Sequence, residues 1–134
     1  MDSLQRKVND YEFQLETSFE ELYYEPDFYS KDNQARSVSV KDCLKDKLVQ
    51  FNLITGENHV INSGIRSKSR NSKVGGAKHS AHLSGYAVDI KCRTTEDRYK
   101  YLIAAVKAGF TRIGIHDRFI HLDCKDEQQI VWLY

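Results

Sequence analysis

With 134 residues, 40% of them hydrophobic, the chain has material for one modest core and not for two. Twenty basic and nineteen acidic residues, a net charge of +1, give no overall pull toward nucleic acid or an anionic membrane surface, and no stretch has the length of a membrane span. The residues from Met1 to Lys7 run into charge without the apolar core or cleavage site of a secretory signal, so synthesis in the cytoplasm is expected. Three widely spaced cysteines, Cys43, Cys92 and Cys124, suit reduced thiols better than a disulfide framework.

Leu4, Val8, Tyr11, Leu15 and Phe19 recur at helical steps, so residues 1–17 read as an amphipathic N-terminal extension, with a restart near Thr17 or Ser18 that opens a domain over 18–134. Residues 1–32 carry a net charge of −6, which fits a solvated helix face. Pro26 and the polar run from Ser30 to Arg36 mark a loop. Val40, Cys43, Leu44, Leu48 and Phe51 then predict a core helix, with Ser39 as its cap and Gly56 near its end. His59 to Asn62 reads as a short strand. Gly64 to Lys78 reads as an irregular loop with five cations and no acid, the one basic patch. Tyr86 to Ile90 has strand alternation. Thr94 caps a helix whose apolar face is predicted to be Tyr99, Leu102, Ile103 and Val106, stopped at Gly109. Arg112–Ile115 and Phe119–Cys124 form a hairpin, and Ile130–Leu133 adds a last strand. The expected fold is α+β: a small antiparallel sheet with helices packed on one side.

Two stretches carry chemistry. Ser80-Ala81-His82-Leu83-Ser84-Gly85-Tyr86-Ala87-Val88-Asp89 and Phe119-Ile120-His121-Leu122-Asp123 supply two imidazoles and a carboxylate, a donor set that leaves tetrahedral zinc one open position. Strand alternation places His121 and Asp123 on one face, with Ile120 and Leu122 on the other, and Asp123 could then fix the His121 tautomer. Asp89 points away from the face of Val88 and Ile90, where a metal would offset the cost of a buried carboxylate. If Asp117-Arg118 is a two-residue turn, His116 pairs with Phe119 and falls on the His121 face. Gly75-Gly76 with Lys78 lacks the Gly-Lys-Ser/Thr ending of a phosphate loop, so nucleotide binding is not expected. His59 and His79 are read as surface residues.

Ile61 to Ser67, Asn71 to Gly76, Ser80 to Ile90, Gly109 to Ile115 and Phe119 to Asp123 together resemble the zinc peptidases of the D-alanyl-D-alanine carboxypeptidase type, the M15 family, and especially its small phage and bacterial branch. The resemblance makes His82, Asp89 and His121 the ligands of one zinc ion per chain, Arg66 the grip on a substrate carboxylate and Ser80 a positioner of the metal loop. It implies hydrolysis of peptidoglycan stem peptides, as carboxypeptidase or endopeptidase, and for a chain lacking a signal peptide a phage endolysin or virion-associated role. Ile65 stands where the family usually has Tyr. Arg118 stands where several members carry an acidic general base, and arginine stays protonated. His116 is therefore the first candidate base, Asp117 the second and Asp123 the third. A non-catalytic zinc-binding module of the same fold is the alternative.

Overall fold

The computed structural model describes residues 17–29 and 38–134; the predicted N-terminal amphipathic helix falls largely on positions 1–16, outside them. In chain order come α1 (Phe19–Leu22), a 3-10 turn (Glu25–Phe28), α2 (Asp42–Thr55), β1 (Ile61–Ser63), α3 (Lys68–Lys73), a second 3-10 turn (Ala81–Ser84), β2 (Ala87–Lys91), α4 (Thr95–Ala108), β3 (Arg112–Ile115), β4 (Phe119–Asp123) and β5 (Ile130–Leu133). The sheet order is β1-β2-β4-β3-β5. Every pair is antiparallel except β3 and β5, which run parallel. The fold is α+β, as the element order predicts.

Apolar side chains on one sheet face, Val88, Ile90, Ile113, Ile120 and Leu122, are almost completely buried with Leu44, Leu48 and Phe51 of α2 and Tyr101, Ala104 and Ala105 of α4. Alternation along each strand then turns the polar residues between them to the opposite face. The helix over α4 is capped by Thr94, whose Oγ1 accepts from Asp97 N at 3.1 Å, and ends at Gly109 with φ +95°. Its buried face is only partly the predicted one: Leu102 packs against the core, but Ile103 is exposed. Tyr99 and Val106 are exposed, and the small side chains of Ala104 and Ala105 face inward, where they let the helix come close to its neighbours. The core helix starts at Asp42, with Lys41 at its cap position and no side-chain cap bond, so Ser39 does not cap it.

Two further expectations are corrected. The basic stretch is not wholly irregular: Ser67 Oγ accepts from Arg70 N at 3.1 Å and starts α3. Cys43 and Cys124 form a disulfide, their Cα atoms 6.5 Å apart, while Cys92 is free and buried. This bridge ties α2 to the end of β4, across 81 positions of sequence.

Candidate metal centre

One row of paired residues crosses the sheet: Ser63 on β1, Asp89 on β2, His121 on β4, Gly114 on β3 and Trp132 on β5. Register therefore sets Asp89 beside His121. His82 arrives from outside the sheet, on the 3-10 turn before β2. Ser80 caps that turn, its Oγ accepting from His82 N at 3.2 Å, and Gly85 ends it at φ +79°. A side chain at Gly85 would also collide with the Ser39 carbonyl, so both conformation and space demand glycine there. His82, Asp89 and His121 are all buried, and one donor atom from each lies within 4.8 Å of the others.

The hydrogen bonds around these three decide which atoms remain. His82 Nδ1 is 2.6 Å from Gly64 O, and a carbonyl only accepts, so Nδ1 holds the proton and Nε2 keeps a lone pair. His121 Nε2 is 2.7 Å from Asp123 Oδ2, and the same logic leaves a lone pair on Nδ1 of the neutral ring. Both free nitrogens face one oxygen: Asp89 Oδ1 is 3.3 Å from His82 Nε2 and 2.9 Å from His121 Nδ1. Three electron-rich atoms converge, which requires a cation between them, either a proton or a metal. Burial disfavours charge on His121, but its bonds to Asp123 and Asp89 outweigh that and raise its affinity for a proton. Burial also opposes charge on Asp89, and the bonds from His121 and His82 win, holding it well below the usual carboxylate range. Two nitrogens and one oxygen, with the outward imidazole nitrogens locked by acceptors, fit zinc.

Arg66 closes one side. Nη2 donates to Asp89 Oδ2 at 3.1 Å, Nε to Ser63 Oγ at 3.0 Å and Nη1 to Asn71 Oδ1 at 3.3 Å. Three of its five N–H groups are thus engaged, and two have no partner among the described residues and can serve a ligand. Asn71 is itself buried and donates to Ala77 O at 2.8 Å, so one residue braces both the arginine and the glycine-rich loop. Asp123 is fully buried, with Oδ1 accepting from Arg112 Nε at 2.8 Å and Lys125 N at 3.2 Å. Burial works against its charge, but His121 first, then Lys125 and Arg112, keep its affinity for a proton low. With both oxygens occupied it is poorly placed to act as a base.

The hairpin closes as predicted, with His116 N donating to Phe119 O at 3.1 Å. His116 lines the metal cleft and stacks on Phe119 at 4.5 Å between ring centres. Its Nδ1 accepts from Arg118 N at 3.1 Å and also lies 2.8 Å from Asp117 Oδ1, so the same atom can either accept from the backbone or donate a proton to the carboxylate; Nε2 has no partner among the described residues. Asp117 is an exposed turn residue outside the cleft lining; it touches His116 instead. Ile65 is buried in the core. His79 is exposed at the cleft edge, but His59 is not a surface residue: it sits between Tyr23 OH at 3.0 Å and Thr55 Oγ1 at 2.9 Å.

The Peptidase M15 family model matches residues 27–123, a stretch that holds all three converging donors. This chain belongs to the peptidase M15 family. A search of curated proteins finds no match. The matched region stops at Asp123, and β5 beyond it supplies what the sequence reading missed. Trp132 lies 5.1 Å from the His121 ring, with Arg112 stacked 5.6 Å from its own ring centre, and Tyr134 packs on Phe119 and His116. Gly114 makes room for this wall, because a Cβ there would stand 2.6 Å from Trp132 Cε2. The signal in the sequence was Gly114 itself, a glycine inside a strand, which marks a close approach.

Proposed function

We propose that this M15 peptidase is zinc-dependent and hydrolyses peptide bonds in peptidoglycan stem peptides. The observation that carries the reading is the convergence of His82 Nε2, His121 Nδ1 and Asp89 Oδ1 in a cleft of about 640 Å³, with each imidazole's outer nitrogen already bonded to an acceptor. A zinc ion held there would polarise a scissile carbonyl and lower the pKa of water toward neutrality.

The chain's own residues supply the rest. Gly64 O and Asp123 hold the two imidazoles in the tautomer that presents a lone pair, and Arg66 fixes Asp89 through its second oxygen. In this reading, the two remaining N–H groups of Arg66 receive a substrate carboxylate or carbonyl. In the tautomer whose Nδ1–H donates to Asp117 Oδ1 in place of accepting from Arg118 N, Nε2 of His116 has the lone pair that accepts the proton of the attacking water and returns it to the leaving amine, and Asp117 stabilises the imidazolium. Trp132, Tyr134 and Phe119 form an apolar wall that shields the reacting bond from bulk water.

The test is digestion of purified peptidoglycan by the zinc-loaded protein, with and without chelator, followed by mass spectrometry of the released muropeptides. New peptide termini that vanish with chelator support the reading. Arg118 at the position of an acidic base in several relatives favours the alternative of a zinc-binding module without catalysis. A chelator effect on melting with no cleavage in any digest would decide for that module.

A further inference from the structure

The metal cleft is not the only cavity at Arg66. A second groove of about 750 Å³ lies on its far side, and Arg66 and Val74 line both. Each has the size of an ordinary ligand site, so a molecule filling both is longer than a dipeptide. Arg70 and Lys73 of α3 also line this groove, and neither has an ion-pair partner among the described residues. Among the described residues, the only acid in its lining is Asp27. These cations are carried on an anchored element, because Ser67 caps α3 and the buried Asn71 bonds both Arg66 and Ala77. The groove is also lined by Ile61, Asn62 and Ser63 of β1, the outermost strand of the sheet, and by Tyr29, which with Phe28 pairs with the chain just beyond β1: Phe28 O accepts from Ile65 N at 2.6 Å and Tyr29 bridges Ile65.

We infer that this groove is an extended subsite for a peptide substrate, in which Arg70 and Lys73 grip carboxylates several bonds away from the one that is cleaved. The inference rests on the peptidase reading above and adds a substrate class to it: longer peptides with free carboxylates beyond the scissile bond. It also gives the acid-free basic stretch a use. Because the two side chains are exposed, their pairing strengthens binding and steers association more than it speeds the chemical step.

Binding of a synthetic stem pentapeptide is compared with that of the same peptide with its side carboxylates amidated, by stopped-flow fluorescence before turnover. Trp132, the only tryptophan, lines the cleft and reports occupancy. Amidation should weaken binding about tenfold at low salt, the difference should shrink as salt rises, and R70Q/K73Q should lose it. Folding of that variant is verified by its melting curve. Equal binding of the two peptides by the wild type, an undiminished preference in R70Q/K73Q, or equally tight binding of a DNA oligonucleotide would each overturn the subsite. The two readings fail separately: carboxylate preference without any hydrolysis keeps the groove and refutes the peptidase mechanism, and hydrolysis without preference does the reverse.

Discussion

Two clusters in this molecule bury imidazoles, and they treat them in opposite ways. His59 lies among Tyr23, Phe51 and Tyr101, with Tyr23 OH on Nδ1 and Thr55 Oγ1 on Nε2. Both nitrogens are satisfied by neutral hydroxyls, and burial pushes the ring's pKa down to about 4. His82 and His121 instead each have one nitrogen locked by an acceptor and the other turned on the same carboxylate oxygen. Burial alone therefore does not identify a metal ligand. What distinguishes the sites is whether the second nitrogen meets a donor or another lone pair.

The sharpest break of this contrast is removal of a converging atom. His82→Ala, Asp89→Ala and His121→Ala should each lose bound zinc, and hydrolysis should fall to background, whereas His59→Gln should keep its zinc. One zinc ion per chain in all three ligand variants, by metal analysis, would dismantle the site.

His116→Ala separates proton transfer from metal binding. Zinc content should stay unchanged while turnover drops by roughly a hundredfold, the usual scale for a lost acid–base group. Wild-type turnover in this variant would move the base elsewhere, with Asp117→Ala the next to measure.

Asp123→Asn probes the lock on His121. An amide can offer its nitrogen as well as its oxygen to Nε2, so the tautomer is no longer enforced, and zinc affinity should fall about tenfold to a hundredfold in a chelator competition. An unchanged affinity would make Asp123 a partner of Arg112 only.

The smallest effect is expected at the other cluster. His59 has a lower pKa folded than unfolded, so below the unfolded value of about 6.5 the unfolded chain binds the extra proton. Its contribution is fully present above that pH and is lost as pH falls toward about 4. Allowing for the ring's partial exposure, the loss is on the order of 1 kcal/mol. Denaturant titrations of His59→Gln between pH 7 and pH 4 should show a flatter acid limb than wild type. Parallel curves would show that other groups govern acid stability.

Chain-local signals made some of this legible and left the rest hidden. Thr94 and Gly109 bracket α4 because caps are local chemistry, yet the face that helix buries is Tyr101, Ala104 and Ala105, since small residues fit a tight interface that hydrophobicity alone does not foresee. His59 and Cys43 looked unremarkable for a related reason. Their partners Tyr23 and Cys124 stand 36 and 81 positions away, and no periodicity reports a contact at such separations.

From the sequence alone follow the α+β order, the strand alternation that turns His121 and Asp123 away from Ile120 and Leu122, and the residues able to bind a metal. All of these depend on neighbours a few positions apart, where backbone geometry is periodic. Tertiary structure decided that Asp89 and His121 meet in one register row and that Gly64 O and Asp123 select the imidazole tautomers. It also decided that Arg66 binds Asp89, and that a parallel β5 brings Trp132 to the site. Each of these is a pairing between distant segments, set by how the whole sheet and its core close around one another rather than by any stretch of the chain.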